Sequence, residues 1–213
     1  MDFELNYIDF HTHHPSLRGE RVIQDDIDTR GRHPWRLLPD YAPSLGGERE
    51  RLLAIGESGL DRLCDTPYDL QLQVFRKEVA LSEKHQLPLF LHCVRAIDDV
   101  LRIRKELKAR QPWIWHGYRG NAQQLTQLLK LSEQALLPTG GAGRGAFYFS
   151  FGPRFNKEAL LVCPLDRLLL ETDEDTTTPI ADLYAEVAQL HAISINQLIQ
   201  QMHINYRMLF HNN

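Results

Sequence analysis

Residues 88–116 read PLFLHCVRAIDDVLRIRKELKARQPWIWH, and two runs inside that stretch decide the fold. Pro88-Leu89-Phe90-Leu91-His92 and Trp113-Ile114-Trp115-His116 are short, apolar and aromatic, the profile of strands buried on both faces. Between them Ile97, Val100 and Leu101 recur at helical spacing. Strand, helix and strand in that order form a crossover unit with parallel strands. Each of the two strands also ends on a histidine.

The same alternation extends in both directions. Further strands are expected at Tyr7 to Phe10, Arg21 to Gln24, Leu52 to Gly56, Ala146 to Phe151 and Arg167 to Glu171. Helical periodicity follows Pro67 in Leu72, Phe75 and Val79 and recurs in Leu125, Leu128 and Leu129. Near the C-terminus Ser194-Ile195-Asn196-Gln197 is a capping box leading into Leu198, Ile199 and Met202. No linker, repeat or low-complexity tract divides residues 1–213, so one domain is expected. Thr139 to Gly145 is glycine-rich but lacks a following GK[ST], and reads as a loop rather than a phosphate cradle. Open doubly wound sheets and (β/α) barrels both fit this pattern; the placement of polar residues separates them.

Composition narrows the function classes. The chain has 213 residues, 43% of them hydrophobic, with a formal net charge of −4. That charge does not by itself announce a nucleic-acid surface, since binding to phosphates scales with the Lys and Arg that neutralise them. The longest apolar runs, such as Leu168-Leu169-Leu170, fall far short of the roughly 20 residues of a membrane span. Met1-Asp2-Phe3-Glu4-Leu5 lacks the basic and apolar segments of a secretory signal, so a cytoplasmic location is expected. Cys64, Cys93 and Cys163 are odd in number and widely spaced, which predicts reduced thiols rather than a disulfide framework or a cysteine zinc cage. Ten histidines are an excess for this length and give the first functional hint.

The strand candidates end in histidine or carboxylate: Asp9-Phe10-His11-Thr12-His13, Ile55-Gly56-Glu57, Leu91-His92, Trp115-His116 and Glu171-Thr172-Asp173. In a parallel barrel all strand C-termini share one face, and that face carries the active site. His11 and His13, two apart on extended backbone, lie on the same side and can reach one metal. A lone histidine or glutamate at a strand end is most often a hydrogen-bonded loop residue. Six nitrogen and oxygen donors in register are a different matter, because burying them uncompensated is costly and a shared divalent centre removes the cost.

Seven motifs then carry a resemblance: Asp9-Phe10-His11-Thr12-His13, Arg32-His33-Pro34-Trp35, Ala54 to Asp61, Leu89-Phe90-Leu91-His92-Cys93, His116-Gly117-Tyr118-Arg119-Gly120, Phe149-Ser150-Phe151-Gly152 and Leu168 to Asp173. In this order they resemble the TatD-type metal-dependent hydrolases, over nearly the whole chain. The resemblance implies a TIM-type (β/α) barrel of the amidohydrolase kind, two divalent metal ions (Zn, Mg or Mn), and phosphodiester hydrolysis at DNA ends or single strands. It further implies that His11, His13 and Asp173 hold one metal, His92 and His116 the other, and that Glu57 bridges them. A carboxylate can span two cations roughly 3.5 to 4 Å apart, and such a pair clamps both oxygens of a displacement at phosphorus. Asp173 is the group expected to orient or deprotonate the attacking water.

The sequence also departs from the family pattern. Only about twenty residues separate the first strand from His33, where the family has a helix, a strand and a further turn, so a barrel of about seven parallel strands is expected. The family's serine-bearing turn after the sixth-strand histidine reads Tyr118-Arg119-Gly120, and Glu174-Asp175 replaces the usual proline-aromatic pair. Both changes bear on substrate. Loop arginines that follow strands, Arg95 and Arg119 foremost, are expected to read a phosphate; His33 resembles the family's histidine near substrate phosphate. Trp35 and Tyr118 could stack a base, although core packing is the commoner fate of aromatics. The partner expected is DNA or another phosphodiester, with no membrane and no obligate protein. The alternative is an amide or lactone hydrolase on the same scaffold, which would need a closed apolar pocket in place of the arginines.

Overall fold

A computed structural model describes residues 6–16, 20–45, 51–135 and 145–210. Its strands are β1 (Ile8–Thr12), β2 (Arg21–Gln24), β3 (Thr29–Arg30), β4 (Ala54–Asp61), β5 (Leu89–Val94), β6 (Trp113–Trp115), β7 (Phe147–Phe151) and β8 (Leu168–Leu170). The helices are α1 (Tyr68–His85), α2 (Ile97–Glu106), α3 (Ala122–Ala135), α4 (Lys157–Val162), α5 (Ile180–Leu190) and α6 (Ile195–Phe210). Strands β3 to β8 form one sheet in sequence order, every neighbouring pair parallel. β1 and β2 form a second parallel pair, and a parallel bridge between Thr12 and Asp173 joins β1 to the chain leaving β8. The architecture is an α/β barrel of the TIM type.

Among the described residues there are eight short strands where about seven are expected, the addition being the two-residue β3. The shortfall between Phe10 and His33 lies in helices instead. β2 and β3 are separated only by the tight turn at residues 25–28, and no described residue between β1 and β3 is helical. A helical crossover needs at least about 10 residues. None is required here, because β2 pairs outward with β1 and β3 outward with β4, so the two need not lie side by side as partners.

The barrel interior and the layer beneath the helices are aromatic and aliphatic. Phe90, Trp113, Phe147, Tyr148, Phe149 and Phe151 are all fully buried, as expected for strands covered on both faces. β4 runs five residues past the expected end at Gly56. A Cβ on Gly59 would stand 1.8 Å from the His92 carbonyl oxygen, and one on Gly56, at φ +134°, would stand 2.7 Å from Phe90 Cβ. Those two glycines let β4 lie close against β5, which brings Glu57 to His92.

At the C-terminal end of the chain Gln197 N–H donates to Ser194 Oγ, and Ser194 N–H donates to Gln197 Oε1, the reciprocal bonding of a capping box. All three cysteines are free thiols. No described helix is long and apolar enough to cross a membrane. Residues 139–144 of the glycine-rich segment lie outside the described residues.

Candidate metal centre

The six expected donors come from the C-terminal ends of five strands. His11 is the fourth residue of β1 and His13 follows it. Glu57 is inside β4, His92 inside β5, His116 one residue past β6, and Asp173 three past β8. They converge. Glu57 lies at the middle and divides its two oxygens between two sets. Oε2 is 3.4 Å from His11 Nε2 and 3.9 Å from His13 Nε2. Oε1 is 2.9 Å from His92 Nδ1 and 2.7 Å from His116 Nε2. Asp173 Oδ1 joins the first set, 3.4 Å from His13 Nε2 and 3.8 Å from His11 Nε2.

His33 joins the second set. Its Nε2 is 3.0 Å from Glu57 Oε1 and 3.1 Å from His92 Nδ1. The sequence pointed to His33 as a phosphate contact; the fold also puts it within the donor cluster itself. Arg95 and Arg119 leave the same barrel end, just beyond β5 and three residues past His116. Both are exposed, and neither pairs with any described residue, Asp61 and Asp98 included. Arg95 adopts φ +52° and Asp173 φ +58°, a left-handed conformation uncommon for residues other than glycine, and such residues cluster at functional sites.

Carboxylates behind the ring nitrogens set their orientation. His92 Nε2 lies 3.2 Å from Asp61 Oδ2, so with that nitrogen donating, Nδ1 turns its lone pair toward Glu57. Glu171 Oε1 stands 3.5 Å from His116 Nδ1 and accepts the Gly117 N–H. Asp25 Oδ1 accepts from Glu57 N–H and from Thr29 Oγ1, while its Oδ2 is 3.8 Å from His13 Nδ1. Asp9 is tied to Thr172 through both backbone and hydroxyl, and burial pushes its carboxyl up to about 7 against those bonds. Of these, Asp9, Asp61 and Glu171 fall within the motifs quoted above, and Asp25 lies outside them.

The residues fit divalent cations on two counts. Nitrogen donors about 2.0 to 2.1 Å from one tetrahedral ion stand about 3.3 Å apart, and separations of 2.7 to 3.4 Å link Glu57 Oε1, His33, His92 and His116. His11 is fully buried, yet neither of its ring nitrogens makes a hydrogen bond, a costly state for a group with no ligand.

The electrostatics agree. Burial opposes a proton on His116, yet the Glu57 charge and Glu171 raise its pKa well above the usual imidazole value. Burial would likewise raise Glu57, but the His116 charge and the surrounding His11, His116 and His33 imidazoles hold it well below the usual carboxylate range. The negative field that retains a proton on His116 is the field that favours a divalent cation in its place.

Comparison with known proteins shows the family. The TatD related DNase family model matches residues 27–211, and the chain belongs to that family. It is 35% identical over 139 residues to the uncharacterized metal-dependent hydrolase YabD of Bacillus subtilis, covering 61% of this chain and 49% of that protein. It is 32% identical over 178 residues to the 3'-5' ssDNA/RNA exonuclease TatD of a Rahnella species, covering 77% and 64%. Among solved structures, the TatD family hydrolase of Entamoeba histolytica superposes with a TM-score of 0.62 at 18% identity, over 77% of this chain and 65% of that one. The TatD homolog YJJV of Escherichia coli gives 0.61 at 23%, over 76% and 65%. These two support the barrel fold. The chain thus spans about half to two thirds of the length of these relatives.

Proposed function

We propose that this chain is a divalent-metal-dependent hydrolase of phosphodiester bonds in nucleic acid, acting at ends or on single strands. The observation that carries the reading is the division of the Glu57 carboxylate, with Oε2 turned to His11 and His13 and Oε1 to His92 and His116. That division suits two cations, one held by His11, His13 and Asp173 and one by His92 and His116, with Glu57 common to both. Divalent ions there would polarise a phosphoryl oxygen and make bound water acidic near neutral pH.

The chain's own groups supply the rest. Asp173, half-buried on the seam between β1 and β8, would accept a proton from an attacking water and pass it toward the leaving oxygen. Its backbone is fixed by bonds to His11 O and from His13 N–H, so the side chain is held while the proton moves. Arg95 and Arg119, charged and unpaired among the described residues, suit an anionic substrate and argue for phosphate over an amide or lactone. The nuclease names borne by relatives agree with this substrate class.

The test is metal-stripped protein restored singly with Zn, Mg or Mn and assayed on single-stranded DNA, duplex DNA and chromogenic phosphodiesters. Cleavage that returns with two equivalents of metal supports the reading. Restored metal binding with cleavage of none of these substrates overturns it.

A further inference from the structure

Trp35 is a large apolar side chain left in solvent beside the donor cluster, and its polar atoms are tied down. The residue is 60% exposed. The indole N–H donates to Asp61 Oδ2 at 2.7 Å, and the backbone N–H donates to His33 Nδ1 at 3.2 Å. Buried Pro34 fixes the chain just before it, within the single helical turn Pro34–Arg36. The ring meets His33 edge to face with centroids 4.8 Å apart, and lies 6.1 Å from His92. Tyr118, the other aromatic considered for stacking, is instead 5% exposed and packs edge-on to Phe149 and Phe151.

We propose, resting on the nuclease reading above, that the exposed indole face of Trp35 is the stacking platform for the nucleobase beside the scissile phosphate. His33 and His92, against which the ring is set, carry nitrogens that converge on Glu57 Oε1, so the indole is one side chain away from where a phosphate would be held. Asp61 fixes both partners at once: Oδ2 takes the indole N–H and the His92 Nε2 proton, and Oδ1 takes the backbone N–H of Leu63, another exposed apolar residue. A ring already immobilised loses little freedom when a ligand lands on it. Stacking tolerates any base, because every base has a π face, so the platform selects nucleotides over bare phosphate esters without selecting sequence.

Trp113 and Trp115 are buried, which leaves Trp35 as the tryptophan a ligand can reach. Zinc-loaded protein titrated with deoxyadenosine 5′-monophosphate is expected to show emission quenching that inorganic phosphate does not produce and that Trp35→Phe abolishes. On oligonucleotides ending in a base or in an abasic sugar, at either end, the wild type is expected to favour the base by about tenfold in KM. Trp35→Phe keeps a ring and loses the bond to Asp61, so most of that preference should persist; Trp35→Ala should bring the two substrates to parity. Should Trp35→Ala fail to fold, the quenching and the Trp35→Phe ratio still decide. Wild-type protein that cleaves base-ended and abasic strands equally well overturns the platform alone. Metal-loaded protein that cleaves neither overturns the nuclease reading and the platform with it. Equal quenching by phosphate and nucleotide assigns the signal to the anion and also overturns the platform.

Discussion

The two sides of the barrel are built by different rules. From β4 to β8 every strand leads into a helix, and the donors Glu57, His92 and His116 ride on strands pinned between barrel core and helical layer. From β1 to β3 no described residue is helical, yet His11 and His13 still reach Glu57, at 3.4 and 3.9 Å against 2.9 and 2.7 Å for His92 and His116. Backbone bonds do there what helix packing does elsewhere. Asp173 N–H donates to His11 O, and His13 N–H donates to Asp173 O, lacing β1 to the chain beyond β8. The turn after β2 adds Asp25, which holds Glu57 N–H from the other flank. A donor needs a fixed backbone, and a hydrogen-bonded seam can provide it with far fewer residues than a crossover.

The strongest way to break that comparison is at the seam itself. Asp173→Asn leaves the backbone bonds to β1 in place and keeps one ligand oxygen, so folding and most metal binding should survive. Turnover should fall by about a hundredfold to ten-thousandfold, the range for loss of a positioned base. Glu57→Gln should instead lower metal content, since a neutral amide bridges two cations poorly. Metal analysis and kcat on one oligonucleotide, run on both variants, separate the two roles; near-normal kcat for Asp173→Asn removes it from the mechanism.

The carboxylates behind the donors give a smaller and more diagnostic contrast. Asp61→Ala, on the helical side, removes the acceptor that sets the His92 tautomer, and should weaken metal binding by about tenfold to a hundredfold. Asp25→Ala, on the bare side, should weaken metal binding and also cost about 1 to 3 kcal/mol of stability, because it strands the buried Glu57 N–H. Metal titration and denaturant unfolding of the metal-free proteins decide it. If both variants lose the same stability, the two sides are not held differently.

The donors were legible in the sequence because each histidine or carboxylate ends an apolar run, and a run of that kind has only one sheet end to point at. The rest was hidden for local reasons. The apolar run ends at Gly56, five residues short of the end of β4; what Gly56 and Gly59 permit, the approach of β4 to His92, is a property of two strands and not of one. Two residues of β3 carry no periodicity to detect. Asp25 falls in no motif, and the reach of Asp25 and Asp61 across the barrel is not written in their neighbours. Trp35 and Tyr118 had equal standing in the sequence, and only burial separates them.

Away from the metal centre, on the helical side, Glu78 of α1 offers the smallest effect and the cleanest sign. It is fully buried, accepts a hydrogen bond from the Tyr41 hydroxyl at 2.9 Å, and leaves Oε2 without a hydrogen-bond partner. Burial is the main cause that pushes its carboxyl up to about 7 from an ordinary value near 4.5. The native state therefore binds more protons than the unfolded chain between those two pH values, and stability falls as pH rises through that window. At about 1.4 kcal/mol per pH unit the whole change is on the order of 3 kcal/mol. Glu78→Gln keeps an acceptor for Tyr41 and cannot ionise. Groups common to both proteins, the histidine cluster included, cancel in the difference. Urea unfolding of metal-free wild type and Glu78→Gln at pH 5 and pH 8 is expected to show the variant gaining on the wild type as pH rises, with the gain levelling off above pH 7. Parallel stability curves over that range would show that Glu78 ionises without penalty and that α1 is not sealed against water at this point.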